Sequence, residues 1–298
     1  MRKLIRFVRK KCTALLYRMS PFIRSDKVYI QCHYFLHTGQ RLDLNHPKTF
    51  TEKLQWLKLN DRKEKYQQLV DKYEVKAIVA KEIGAEHIIP TLGIWNSFDE
   101  MDTSQLPEKF VLKTTHDSGG VIVCQDKSIF DWNSARRKLG GNLKRNFYRA
   151  NREWPYKNVK PRIMAECYIA DNCKDGELTD YKFYCFNGKA EFCQVIAGRT
   201  SDETIDFYDR NWTHQPFTGL QPSAKKAIAG KGKPLAFDKM LLMTDKLAEM
   251  VGSAFVRVDL YDTRKGIYFG EITFYPYSGL GQFRPDEWNV LIGNMIKL

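Results

Sequence analysis

Two carboxylates near the end of the chain, Asp259 and Glu271, lie in runs whose alternation reads as strands. In Ala254-Phe-Val-Arg-Val-Asp-Leu-Tyr, residues Ala254, Val256, Val258 and Leu260 share one face, and Phe255, Arg257, Asp259 and Tyr261 the other. In Ile267-Tyr-Phe-Gly-Glu-Ile-Thr-Phe, Glu271 and Thr273 share a face. The stretch Asp262-Thr-Arg-Lys-Gly266 is short enough for an antiparallel hairpin, which brings Asp259 near Glu271. Like charges opposed in a sheet are destabilising. A divalent cation between them removes that penalty, and hard oxygen ligands suit magnesium. An ion pair with Arg257 accounts for the same cluster, so two readings stand.

Upstream, Lys113 ends the apolar run Phe110-Val-Leu and leads into a loop with Asp117, Ser118, Gly119 and Gly120. Glycines let backbone N–H groups approach a phosphate, and a lysine adds a point charge. The run is not a GxxxxGK[ST] loop, and a plain Ser-Gly-Gly hairpin turn explains it as well. Lys72, in Asp71-Lys-Tyr, is by itself no more than a helix lysine. The segment Phe274-Tyr-Pro-Tyr-Ser-Gly-Leu-Gly places a loop with Ser278 and Gly279 directly after the carboxylates, where a substrate or an ordinary turn fits.

These residues need a mixed scaffold to position them. Thr49 or Thr51 caps a helix over Thr-Glu-Lys-Leu-Gln-Trp, and helical spacing runs from Val70 to a C-cap at Gly84. A short strand is expected at 88–92, a strand–loop–strand at 106–125, and a basic helix at 134–152. Strands recur at 162–169, 180–187 and 190–197, with Asn187-Gly188 as a hairpin turn; a helix at 237–251 precedes the carboxylate strands. This order indicates an α+β enzyme rather than a helical bundle or a β-sandwich.

Composition sets the outer bounds. The chain has 298 residues, 43% of them hydrophobic and 13% aromatic, which suits a globular protein. Lys and Arg number 48 against 35 acids, a formal charge of +13 that points to acidic partners. Seven cysteines without a CxxC pair give no zinc ribbon or redox motif and suit reduced thiols. No run reaches the ~18 apolar residues of a membrane span. At the N-terminus Arg2, Lys3, Arg6, Arg9, Lys10, Lys11 and Arg18 alternate with Leu4, Ile5, Phe7, Val8, Leu15, Leu16 and Tyr17. Without a cleavage site this reads as an interfacial helix; the alternative is a solvated helix packed on its own domain.

Taken in order, the pieces resemble the ATP-grasp superfamily, and within it the TupA-like branch. The resemblance rests on Asp71-Lys72, Val111-Leu-Lys113 with Ser118-Gly-Gly120, Ala165-Glu-Cys-Tyr-Ile169, Arg257-Val-Asp259 and Glu271-Ile-Thr273. The branch is suggested by Pro47-Lys-Thr-Phe-Thr-Glu-Lys-Leu-Gln-Trp, Asp180-Tyr-Lys-Phe-Tyr-Cys-Phe-Asn-Gly and Phe269-Gly-Glu-Ile-Thr-Phe. It covers roughly residues 45–298 and is specific in order and spacing.

It implies an α+β ATP-grasp fold with ATP between two β-rich lobes, preceded by a basic helical segment. The divisions expected are 1–45 for that segment, 46–105 for a helical subdomain, 106–165 for the small lobe and 166–298 for the large lobe. By the resemblance Lys72, Lys113, Ser118, Gly119 and Gly120 meet the phosphates, and Glu166 and Tyr168 the adenine. Asp180 meets the ribose (with Asp171 or Glu177 as alternatives), and Lys182 is a further nucleotide contact. Asp259, Glu271 and Thr273 hold one or two magnesium ions, Thr273 standing where many relatives have Asn. Arg257 stabilises the transferring phosphoryl, and Arg199, Ser278 and Gly279 are weaker substrate candidates.

The implied reaction joins an amino acid or other amine to a carboxylate on an acidic saccharide or lipid-linked glycan of the cell envelope. The implied setting is cytoplasmic, with peripheral contact to an anionic membrane at its inner face. The rival is a nucleotide-sugar-dependent glycosyltransferase; the paired phosphate lysines ahead of the hairpin favour ATP. Nucleic acid is not an expected partner, because a solvated basic helix or a contact with an acidic glycan explains 144–152 equally well.

Overall fold

Helices dominate the first third of the chain: α1 (Arg2–Met19), α2 (Asp26–Thr38), α3 (Phe50–Asn60), α4 (Lys65–Val70) and α5 (Glu74–Ile83). The computed structural model describes residues 2–169, 178–197, 203–221, 225–227 and 230–298, with the backbone alone for 2–6 and 197. Thr49 caps α3 in a reciprocal box: its hydroxyl accepts from the Glu52 N–H at 3.3 Å, and the Glu52 carboxylate accepts from the Thr49 N–H at 2.9 Å. The helical run expected from Val70 to Gly84 is interrupted. Asp71 accepts the N–H groups of Tyr73 and Glu74, and the Lys72 N–H leaves for the Thr115 carbonyl at 3.1 Å. Lys72 therefore sits in a corner before α5, not on a helix, and Gly84 ends α5 at φ 107°.

The first sheet is antiparallel, built from β1 (Thr91–Trp95), β2 (Phe110–Thr114), β3 (Val121–Cys124) and β4 (Ile163–Cys167) in the order β1-β4-β2-β3. The strand expected at 88–92 begins three residues later. Pro90 has no N–H to donate; its carbonyl accepts from Cys167, and the ladder with β4 starts at Thr91. One face of this sheet packs Phe110, Leu112, Ile163 and Ala165 against α6 (Trp132–Leu143), with Trp132 stacked on Phe110 at 5.6 Å. The other face carries Val111, Lys113 and Glu166, since Val111 opposes Glu166 and Lys113 lies two residues on. The single basic helix expected at 134–152 breaks after Leu143, and Asn146 caps a separate α7 (Phe147–Asn151).

The second sheet runs β10-β9-β5-β6-β7, again antiparallel. It comprises β5 (Asp180–Phe186), β6 (Lys189–Ala197), β7 (Thr204–Asp209), β9 (Phe255–Thr263) and β10 (Gly266–Thr273); short β8 (Thr218–Gly219) pairs with β11 (Phe283–Arg284). Asn187 and Gly188 turn β5 into β6 with φ of 51° and 88°, the left-handed pair a tight hairpin requires. Helix α8 (Phe237–Val251) covers the Phe183 and Val258 face. On the opposite face Phe50 and Phe283 cover the Tyr184–Phe255 end. Lys182, Arg257 and Asp259 lie beyond that aromatic plug, and the last helix, α9 (Trp288–Asn294), closes against α3. Among the described residues no helix is long and apolar enough to cross a membrane.

Candidate active site

A bulge decides where the second carboxylate points. Phe269 opposes Leu260, but the next pair is Glu271 with Asp259, so Gly270 is an extra residue in β10. Without that insertion Glu271 would oppose Val258 and face α8. Glycine suits the position, because a Cβ there would stand 3.0 Å from the Asp259 carbonyl oxygen.

The carboxylates then converge on Arg257. Its Nε donates to Asp259 Oδ1 at 2.6 Å, and its Nη2 to Asp259 Oδ2 at 2.8 Å and Glu271 Oε1 at 2.6 Å. Thr273 Oγ1 donates to Glu271 Oε1 at 3.0 Å. From β5, Lys182 stands opposite Asp259 and donates to Oδ2. Burial pushes the Asp259 carboxyl up, against the pull of Arg257 and Lys182. Burial also acts to raise Glu271, but the charges of Arg257, Lys182 and Lys72 outweigh it and lower that carboxyl to about 2. The Arg257 ion pair anticipated from the sequence is thus formed, and the group offers the hard oxygens that magnesium takes. Among the described residues no three His, Cys, Asp or Glu side chains gather at one point. Magnesium is commonly held by one or two carboxylates plus substrate phosphate oxygens. Asp259, Glu271 and Thr273 are the residues here that would hold it.

The loop between β2 and β3 reaches the same place through Lys72, whose Nζ donates to the Asp117 carbonyl. Leu69, Val70, Lys72, Tyr156, Gly270 and Glu271 line one recess. Burial lowers the Lys72 ammonium's pKa, opposed chiefly by Glu271 and Asp117. Ser118 and Gly119 are exposed at the loop tip, where Gly119 takes φ 89° and a Cβ would meet nothing. Gly120 is clamped, because a Cβ would fall 1.7 Å from Thr114 Oγ1. Two buried atoms at this loop, Asp117 Oδ2 and His116 Nδ1, have no partner.

Lys113 pairs with Glu166 at 2.5 Å, and so does Lys76 from α5. Lys76 also donates to the Ile89 carbonyl at 2.7 Å and to Thr91 Oγ1 at 2.8 Å. Burial acts to raise Glu166, and the two lysines override it and hold its pKa low. Tyr168, half-buried at the far end of β4, accepts from Gln125 at 3.4 Å. Asp180 is buried on β5 with Lys182 at 3.6 Å. Ser278 and Gly279 lie in a turn where Tyr277, Ser278 and Gly279 all have positive φ. The Ser278 carbonyl accepts from Lys58 at 2.8 Å, and the Gly279 carbonyl from Gln55 at 2.7 Å, both on α3. Arg199, Asp171 and Glu177 lie outside the described residues, as do the side chains of Arg2, Lys3, Leu4, Ile5 and Arg6.

A sequence model of TupA-like ATP-grasp proteins matches residues 52–297. The chain belongs to the TupA-like ATP-grasp family. No curated protein matches it. Similar solved structures include a D-alanine–D-alanine ligase from Bacillus anthracis complexed with ATP, 14% identical with a TM-score of 0.43 over 76% of this chain and 63% of that one. An L-amino acid ligase from Bacillus licheniformis is 12% identical, with a TM-score of 0.48 over 87% of this chain and 58% of that one. A phosphoribosylamine–glycine ligase from Thermotoga maritima is 12% identical, with a TM-score of 0.41 over 70% and 48% respectively. The chain thus spans less than two thirds of the length of each of these ligases.

In this ATP-grasp chain the hairpin, Lys72, Lys182 and the glycine loop come together as one constellation, with Lys113 and Glu166 on the adjoining sheet. Sequence reasoning missed three members. Lys76 stands four residues beyond Lys72, and in the helical run expected from the sequence that spacing was the available signal. Asp117 carries no signal beyond its place in the loop, and nothing local marks Tyr156, which reaches the recess from a turn after α7.

Proposed function

We propose that the chain is an ATP- and magnesium-dependent ligase joining a carboxylate to an amine. The observation that carries this is Lys72, which donates to the glycine loop and shares a recess with the metal-type carboxylate Glu271. Lys72, Lys113 and the backbone of Ser118 to Gly120 would receive phosphate, Glu166 and Tyr168 adenine, and Asp180 ribose, with Lys182 as a further contact. Asp259, Glu271 and Thr273 would hold magnesium, which would supply charge neutralisation for the phosphates. The substrate carboxylate attacks the γ-phosphorus, ADP leaves, and an acyl phosphate results. The amine nitrogen then attacks the acyl carbon, loses a proton and expels phosphate, giving an amide. Arg257 stabilises charge on the transferring group through its planar fork, and Arg199, Ser278 and Gly279 are proposed at the acceptor.

The acceptor we infer is a uronic acid or peptide on an acidic, lipid-linked envelope glycan, with an amino acid or amine as the nucleophile. The charge of +13 supports an anionic substrate. The setting is the cytoplasm at the inner face of a bacterial membrane. ADP release across a panel of uronic acids and amino acids, with mass spectrometry of the product, tests the reading. Amide product with stoichiometric ADP is expected. Thermal stabilisation by a UDP-sugar but not by magnesium-ATP would overturn it in favour of a glycosyltransferase.

A further inference from the structure

The side of α1 that carries Arg9 and Leu16, with Ser20 just beyond the helix, is turned inward, and its main apolar stripe is not. The Arg9 guanidinium lies over Gly39, at the C-terminus of α2. Leu16 is half-buried and Ser20 is buried, its carbonyl held by Arg152 at 2.7 Å. The apolar stripe one step round the helix stays in solvent: Val8, Leu15 and Met19 are 47–57% exposed. Helix α2 continues the patch with Phe35, and Phe22 in the connecting turn is 82% exposed. Between the helices runs a groove of about 290 Å³, lined by Cys12, Leu15, Leu16 and Met19 of α1 with Cys32, Phe35 and Leu36 of α2. A solvated helix would turn this stripe inward, so the arrangement calls for a partner.

Charge identifies the partner. Residues 1–41 hold ten Lys or Arg and one acid, Asp26. That acid is turned inward, bonded to Arg62 at 2.8 Å and to Tyr148 at 2.6 Å. The rim of the apolar patch is then cationic: Lys10, Lys11, Arg18, Arg24, Lys27 and Arg41 are all exposed. A second copy of the chain would set like charges against each other. Nucleic acid supplies negative charge but no aliphatic phase. An anionic bilayer supplies both, with the apolar stripe at the headgroup–acyl boundary and the lysines among the headgroups.

We propose that the α1–α2 hairpin is a docking surface for an anionic membrane, entered by Leu15, Met19, Phe22 and Phe35. This deepens the localisation inferred above, yet it rests on α1 and α2 alone, so failure of the ligase chemistry leaves it standing. The inner side of α2 packs Ile30 and Tyr34 in a cluster with Leu280, beside the Ser278–Gly279 turn. The docked surface is therefore braced against the acceptor side of the site.

The test is co-sedimentation of the full chain with vesicles of phosphatidylcholine alone or with about 30% phosphatidylglycerol. Wild type is expected to pellet with the anionic vesicles and stay in the supernatant with the neutral ones. Leu15→Ser with Phe35→Ser leaves charge unchanged and is expected to lower partitioning about tenfold or more, with thermal unfolding as in wild type. Lys10→Glu with Lys11→Glu is expected to lower it by a similar factor. Equal binding to both vesicle types, or undiminished binding by the Leu15/Phe35 variant, would overturn the proposal. So would a wild-type dimer in sedimentation velocity that the Leu15/Phe35 variant dissociates while vesicle binding is absent.

Discussion

Asp259→Asn and Glu271→Gln are expected to be alike in catalysis and unlike in stability. Asp259 is 2% exposed and pairs with both Arg257 and Lys182. Its neutralisation relieves the desolvation that pushes the carboxyl up but strands two buried cations, for a net loss of about 3–5 kcal/mol. The Glu271 side chain is 44% exposed, so solvent screens its bond to Arg257, and its neutralisation costs about 0.5–1 kcal/mol. Each change also removes a charged oxygen from the proposed magnesium site, for an expected fall in ADP release of about 100-fold or more. Urea unfolding in magnesium-free buffer gives the two stabilities, and coupled ADP release gives the two rates. Equal loss of stability by both variants would contradict the difference in burial, and wild-type turnover by Glu271→Gln would remove Glu271 from the metal site.

Lys113→Ala is expected to weaken ATP binding by about 10- to 100-fold, the worth of a charge-assisted contact, as read by calorimetric titration. Lys76→Ala should weaken it too; an unchanged affinity would place Lys76 outside the nucleotide site. In the glycine loop, Gly120→Ala drives a methyl group into Thr114 and is expected to cost about 2 kcal/mol or more, whereas Gly119→Ala meets only backbone strain of about 1 kcal/mol. Thermal melts of the two variants separate clash from strain. His33 provides a pH test: burial, reinforced by Lys58 and His37, depresses its pKa from 6.5 to about 3. The unfolded chain therefore takes up a proton below pH ~6.5 that the folded one refuses, and stability is lost as pH falls through that window. Moving from pH ~7 to ~5 is expected to cost about 2 kcal/mol through this residue, a slope that His33→Gln should remove.

Much of the site was legible because its parts are local. Strand alternation put Arg257 and Asp259 on one face, and a short loop returned Glu271 to them. The juxtaposition nevertheless depends on a residue the alternation does not count. The two-residue turn between Thr263 and Gly266 sets a register in which Glu271 would face α8, and the Gly270 bulge restores it. Only the glycine itself hinted at that. Lys72 was expected on a helix, yet Asp71 and the Thr115 carbonyl break the helix there, a tertiary contact that no helical spacing reports. The Lys76–Glu166 pair likewise joins residues far apart in the chain. Strands β7, β8 and β11 and helix α9 were not anticipated; β8 and β11 are two residues long, too short for any period to show. The N-terminal helix was legible as amphipathic, but which edge it packs depends on Arg9 and Gly39 meeting across the hairpin.

We propose that ATP binding depends on a magnesium site formed by Asp259 and Glu271. Calorimetric titration of ATP into wild type and Glu271→Gln, with and without magnesium, tests it most directly. Tight binding by wild type only when magnesium is present, and weak, magnesium-indifferent binding by the variant, are expected. Magnesium-dependent binding of equal strength in both proteins would contradict it.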